Sequence, residues 1–449
     1  MLFYSCRSFI KVMIENRLAL EITILIWIVV GLSYITFTPA NVRTHDFQGN
    51  FNYSKYIASK KKLPKPYEWE QSYQPPLYYL VNSFISPNSL QADSPEKIVH
   101  VNYVRFLSFI YGGITLLILG LFLKHTDIGS HLKFLLLLFT ATTPNFLFIF
   151  STYNNDSLST LLCVAILAVS YKLHHKYSFK FASLLLLNSL AALYTSYESL
   201  WCVSIAIFIC LKNLVILKLP SRNDLRIISI LILSVSLLFP WLYFHNFKNT
   251  KRFFPTNIDS KIVSPFNLSV RTKTILKIFK IPVLQQEKRE WDEPWVYPII
   301  KTKKDINIHP STKSYDYISY SFITSLIGQY KFIKPQVQLI WALLLIHFVL
   351  VIFCIKESLK SDITKVSLFL IIFSHIAQLI VVSLNKFPEL GLDIDYRHIS
   401  WNCIGWVILY SEVFKTKQKW FLNIVIFLMI LAVITHLVVI FNTKGGSVY

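Results

Sequence analysis

Apolar residues run in blocks of about twenty along most of this chain, the length needed to cross the hydrocarbon core of a bilayer. The blocks fall at 18–37, 103–123, 132–152, 157–171, 181–196, 199–216, 227–245, 336–355, 365–385, 399–414 and 420–441. Polar residues collect between them. The pattern predicts an all-α polytopic membrane protein with about eleven transmembrane helices. Two longer polar stretches interrupt it, at 38–100 and 246–335. They divide the chain into an N-terminal transmembrane module (1–245) that contains the first outer loop, a loop or small lid subdomain on the same outer side (246–335), and a C-terminal transmembrane module (336–449).

The first polar stretch has a pattern of its own. Asp46, Asn50, Tyr53 and Ile57 recur at helical spacing, so a short helix there would carry a carboxylate, an amide and a phenol on one face. Pro64 and Pro66 end that helix, and Pro75-Pro76 start another, because proline is tolerated in a first turn. The second helix, Leu77 to Ile85, places Leu77, Leu80, Val81 and Phe84 on one side and reads as amphipathic, lying in the membrane interface.

Composition supports the membrane reading, with 54% hydrophobic and only 15% charged residues. The net charge of +21 would suit nucleic acid, but its distribution follows the positive-inside rule instead. Arg7, Lys11 and Arg17, then Lys172, Lys176 and Lys180, then Lys212, Lys218, Arg222 and Arg226 fall in alternate loops. This orients the N-terminus inward and puts 38–100, 153–156, 246–335 and 386–398 on the outer side. The basic prefix before the first span, with no small-residue cleavage site after it, reads as an uncleaved anchor. The six cysteines fall mostly inside spans and show neither a disulfide framework nor zinc spacing.

Candidate chemistry gathers at the outer ends of the spans. Arg105 lies about one turn inside the second span, so it must be paired, must snorkel, or must face an anion. Asn154, Asn155, Asp156 and Ser157 make a good N-cap cluster for the fourth span, and Asn155 and Asp156 could also meet an acceptor hydroxyl or a metal. Asp292-Glu293 in the long loop reads as a solvated turn. Asp393, Asp395, Tyr396, Arg397 and His398 form a denser cluster at the mouth of the tenth span, where a guanidinium could clamp a phosphate.

The order Asp46-x-x-Gly49, helically spaced tyrosines, Leu63-Pro64-x-Pro66 and Gln74-Pro75-Pro76-Leu77-Tyr78-Tyr79 resembles the polyprenyl-phosphate-sugar-dependent glycosyltransferases of the GT-C superfamily. The likeness is to the branch with protein mannosyltransferases and bacterial lipid A and O-antigen sugar transferases. It continues around Arg105, from Asn154, before the long loop, near Gly328 and around Arg397. The resemblance implies that Asp46 is the catalytic base. It departs from the family where many relatives carry histidine and this chain has Asn50, with His45 before the aspartate instead. It departs again at Tyr194-Thr195-Ser196-Tyr197, where many carry lysine, which shifts donor-phosphate binding to Arg397, Arg105 or Lys61 in the Lys60-Lys61-Lys62 run.

The expected reaction is inverting transfer of a sugar from a polyprenyl-phosphate donor to a glycolipid, polysaccharide or protein acceptor at the outer face. His45, Asn50, Tyr53, Asn155, Asp156, Tyr396 and His398 are then the acceptor-binding or site-shaping groups. No residue set stands out as a metal site, although a divalent metal ion stays open as a cofactor. Membrane lipids are the other expected partner, and nucleic acid is not one. The abundance of Lys, Ile, Asn and Phe suits an AT-rich genome, and the expected location is a bacterial inner membrane. A polysaccharide polymerase or ligase, and a transporter or flippase for lipid-linked sugars, are the competing readings.

Overall fold

The structure, a computed structural model, describes residues 18–37, 47–66, 71–85, 103–123, 129–215, 221–251, 362–384 and 396–416, with the isolated positions 68, 325, 349, 352, 353 and 427. Among these residues the regular structure is all helical, as an all-α membrane protein requires. Helix α1 spans Leu18–Phe37, α2 Phe47–Lys60, α3 Leu77–Ile85 and α4 Tyr103–Leu123. They are followed by α5 Ser130–Thr142, α6 Pro144–Ser151, α7 Asp156–His175, α8 Phe179–Leu193, α9 Ser199–Val215 and α10 Arg222–Trp241. In the C-terminal part, α11 spans Asp362–Leu384 and α12 Cys403–Thr416, with the 3₁₀ segment Tyr396–Asn402 leading into α12. Nearly all of the spans expected at 336–355 and 420–441, and of the 246–335 loop, lies outside the described residues.

By length and apolarity, three described helices can cross a membrane: α1, α4 and α7. The third expected span is a correction. The stretch read as one rod from 132 to 152 is two helices, α5 and α6, bent by 57° at Thr143. The cause is Pro144. The residue before a proline is pushed out of the helical region, and Thr143 sits at φ −63°, ψ 128°. Counting that pair as one span brings the number to four. A second proline, Pro240 near the end of α10, is followed by a π-helical segment, Leu242–Phe247.

Helix α7 is the axis of the bundle. Its span is 78% buried against 28% for α1, and it packs against α4, α8, α9, α10 and the 3₁₀ segment. Helix α1 is apolar on all sides. It turns Trp27 and Tyr34 inward while Leu25 and Val29 are more than half exposed, as expected of a peripheral, lipid-facing helix. Trp27 stacks on Phe109 of α4 at 5.2 Å and meets Phe146 and Phe150 of α6 edge-on.

This packing leaves no room at Gly112. A Cβ there would lie 2.4 Å from Trp27 Cζ2 and 2.8 Å from Phe150 Cβ, whereas one on Gly113 would come no nearer than 3.5 Å. Gly112→Ala is therefore expected to destabilise the purified protein by about 1–3 kcal/mol. Gly113→Ala should be neutral or slightly stabilising, because alanine is the better helix former. Paired thermal melts in detergent check this, and equal melting points would sink it.

At the opposite end of α7 from Asp156, a clasp ties α7 to α10. Ser221 N–H and Oγ–H donate to Asp224 Oδ2 at 3.0 and 2.8 Å, and Asp224 N–H donates back to Ser221 Oγ at 3.1 Å. This is a reciprocal cap of the α10 N-terminus. His174 Nδ1 lies 2.8 Å from Asp224 Oδ1, and Asp224 is wholly buried. Burial pushes the Asp224 carboxyl up, but the bonds from His174 and Ser221 outweigh it and hold the group below its usual range. A folded pKa below the unfolded value of about 3.9 contributes stability that is present above that pH. That contribution is lost as pH falls through the folded pKa. Melting of the wild type is accordingly expected to weaken below about pH 4, with that part of the pH dependence absent in Asp224→Asn.

Candidate functional site

The first polar stretch folds largely as its spacing predicts. Helix α2 begins at Phe47, and Asn50, Tyr53 and Ile57 share a face that is almost entirely buried. Asp46 and His45 lie outside the described residues. The helix ends at Lys60, where Lys61 takes the left-handed conformation at φ 53° and its N–H bonds to Ile57 O. Helix α3 has the expected bounds. Tyr78, Tyr79, Asn82 and Ser83 face the protein, and Phe84 and Ile85 are left largely exposed. Leu77 and Leu80 are partly buried against the core, so the exposed apolar surface of α3 is confined to its C-terminal end.

Polar groups join these two helices to the short loop between α6 and α7. Asn50 Nδ2 donates to Tyr153 O at 3.2 Å, and Asn50 Oδ1 accepts from Tyr79 Oη at 2.9 Å. Ser54 Oγ and Tyr153 Oη are 2.6 Å apart. The Tyr53 ring stacks on Tyr79 at 4.1 Å, and its hydroxyl donates to Gln74 O at 3.2 Å. Below them Tyr78 Oη meets Ser108 Oγ of α4, which in turn bonds Ser157 Oγ of α7. Phe47, the residue after Asp46, packs against Tyr153 at 6.0 Å. The face that begins with Asn50 is thus seated on residues 153–157.

Burial raises the phenols of Tyr53, Tyr78 and Tyr153 well above their usual range, with the neighbouring Tyr153 adding to the effect at Tyr78. Near neutral pH these phenols hold their protons: Tyr53 donates its own to Gln74 O, and Tyr78 and Tyr153 share hydrogen bonds with the Ser108 and Ser54 hydroxyls. Phenols in this state do not supply a base.

The loop itself is capped as expected, though by a different residue from the formal cap. Asn154 Oδ1 accepts the Ser157 N–H at 2.9 Å, while Asn155 Nδ2 reaches across to Thr195 O at 3.4 Å. Asp156 opens α7 and is 7% exposed. One turn further along, Thr160 Oγ1 and Ser400 Oγ are 2.5 Å apart, which fastens the segment carrying Tyr396, Arg397 and His398 to α7. The side chains of those three residues are outside the described part.

Arg105 is 1% exposed and so does not snorkel to lipid. Its Nε donates to Ser151 O at 2.6 Å and its Nη1 to Ile35 O at 3.2 Å. Both oxygens stand in the last turns of helices, α6 and α1, where carbonyls lack intrahelical partners and a cation suits the dipole. Lys61 is exposed and sits eleven residues along the axis from Asn50, about 16 Å away. The structure therefore brings Asn50, with Tyr53 stacked on Tyr79, against the run that holds Tyr153, Asn155 and Asp156, while Arg105 bonds Ser151 just before that run. It leaves Lys61 apart.

Several members of this network were not proposed as site residues from the sequence, among them Ser54, Tyr79 and Tyr153. Their available signal was Tyr153 heading the polar run Tyr153-Asn154-Asn155-Asp156 between two apolar blocks, and Tyr79 in the doublet that follows Pro75-Pro76. Among the described residues no three His, Cys, Asp or Glu side chains converge as metal ligands would.

No protein-family model matches this chain, and no curated protein matches it. Among solved structures it is similar to the apo form of the Archaeoglobus fulgidus oligosaccharyltransferase, with a TM-score of 0.48 and 11% sequence identity. The alignment covers 96% of this chain and 56% of that one, so the chain spans just over half the length of that enzyme. A likeness at this score assigns neither an activity nor a substrate.

Proposed function

We propose that this chain is a membrane-embedded inverting glycosyltransferase. It moves a sugar from a polyprenyl-phosphate donor to a glycolipid, polysaccharide or protein acceptor, with Asp46 as the general base and Arg397 facing the donor phosphate. The observation that carries the reading is a convergence. The helix that starts right after Asp46 is seated on residues 153–157, and the segment that carries Arg397 is fastened to the helix those residues begin. The helix after Asp46 and the segment carrying Arg397 are thereby both tied to the end of α7 where residues 153–157 lie.

The chemistry follows from the residue types. One carboxylate takes the acceptor's proton as its oxygen attacks the anomeric carbon, and without a covalent sugar intermediate that centre inverts. The leaving phosphate develops charge that a guanidinium in a partly dehydrated site can meet. The polyprenyl tail stays in the bilayer while the exposed apolar end of α3 lies against it. Arg105 serves this scheme by fixing the ends of α1 and α6 rather than by touching the donor.

The test is mass spectrometry of envelope lipids and glycans from a strain lacking the protein, complemented with wild type or with Asp46→Asn at matched expression. Loss of one sugar that only the wild type restores is the expected result. Equal restoration by the variant removes Asp46 as base. The second reading is a transporter of lipid-linked sugars, which the break at Pro144 favours because discontinuous helices recur at transporter sites. It predicts a lipid-linked sugar trapped on the inner leaflet, with its transfer in detergent unaffected.

A further inference from the structure

The break between α5 and α6 opens a pocket about midway along the third apolar block, between those helices, α7, the 3₁₀ segment and α12. Its walls are mostly hydrocarbon: Phe146 and Phe150 on one side, Trp406, Val407 and Tyr410 on the other. Polar groups at this depth are costly unless they have partners. Thr143 and Thr160 have them, through Phe139 O at 2.8 Å and Ser400 at 2.5 Å. Asn145 does not. It is 4% exposed, lines the pocket, and its Oδ1 has no hydrogen-bond partner.

The backbone beside it adds a second unmet demand. Asn145 and Phe146 stand in the first turn of α6, where a helix offers their N–H groups no carbonyl, and Thr143 makes no side-chain cap. The site thus asks for an oxygen that can donate to the Asn145 carboxamide and accept from an N–H of the first turn. A hydroxyl does both. No acidic or basic side chain among the described residues lines the pocket, so a charged head group would be stranded there. The aromatic and aliphatic walls suit an alkyl body.

We propose that this pocket binds a neutral, membrane-soluble long-chain alcohol, with its hydroxyl at Asn145 and its chain against the α6 and α12 walls. The proposal is independent of the glycosyltransferase reading, because none of the groups assigned to transfer lines the pocket.

The test reconstitutes the full chain in phosphatidylcholine nanodiscs. It compares photolabelling by clickable diazirine derivatives of hexadecanol, hexadecane and hexadecanoic acid, with the labelled peptides mapped by mass spectrometry. The expected result is preferential labelling by the alcohol at Pro144–Ser151 and Cys403–Thr416, competed by unlabelled hexadecanol and not by hexadecane. Asn145→Leu should lower the alcohol signal about 2- to 10-fold, the worth of one neutral hydrogen bond, and leave the alkane signal unchanged. Val407→Phe, which fills the pocket, should lower both. Equal labelling by alkane and alcohol, preference for the acid, or failure of hexadecanol to compete on the wild type would each overturn the proposal. The wild-type competition decides the matter even where a variant fails to fold.

Discussion

Transfer by an Asp46→Asn protein is expected to fall by about 10²- to 10⁴-fold, the usual worth of a positioned acid or base. Asparagine keeps the size of aspartate and much of its hydrogen bonding, but it cannot accept the acceptor's proton. The loss should therefore appear in kcat, with donor KM little changed. Tyr53, Tyr78 and Tyr153 hold their protons far above neutral pH, so none of these phenols can act as a substitute base. The acid limb of the pH–rate profile should vanish together with the rate. A variant that melts like the wild type and still transfers at the wild-type rate would end the assignment.

Arg105→Leu is expected to destabilise the protein by about 2–5 kcal/mol. A hydrogen bond from a charged donor contributes roughly 1.5–3 kcal/mol, and each buried carbonyl left without a partner costs about 1–3 kcal/mol. Relief from burying the guanidinium offsets part of this, which sets the lower end. The effect should be structural because the two carbonyls belong to Ser151 and Ile35, at the ends of different helices. Arg105→Lys should recover only part of the stability, since a single ammonium lacks the planar fork that reaches both oxygens. Thermal melts of the purified variants check this. If Arg105 held the donor phosphate instead, Arg105→Lys would raise donor KM at unchanged melting temperature.

The same residue shows where sequence reasoning stops. An arginine one turn inside a span must find compensation, and that much follows from the cost of a charge in hydrocarbon. Which compensation it finds depends on where α1 and α6 end in space, and no local pattern encodes that. Asn50 makes the same point. It reads as a site residue from its place four positions after Asp46, yet its carboxamide is taken up by Tyr79 and the backbone of Tyr153, 103 residues away in sequence.

Local features were legible because their causes are local. The bounds of α3, the end of α2 before Pro64, and the capping role of the Asn154 run follow from proline geometry, spacing and side-chain reach. The all-helical class follows from apolar blocks long enough to cross a bilayer, since backbone groups in lipid must be satisfied within their own segment. The broken third span was also written in the sequence, at Thr143-Pro144, but a hydropathy window averages over it.

By itself, then, the sequence determined the helical membrane class, the first polar stretch with its two short helices, and the kinds of polar side chain that stretch offers. Tertiary structure alone decided that α7 is the axis, that residues 153–157 receive α2 and α3, and that the Arg397 segment is fastened beside them. The physical reason is range. Periodicity and proline act over a few residues, whereas these contacts depend on how buried faces and unpaired polar groups find one another across the bundle.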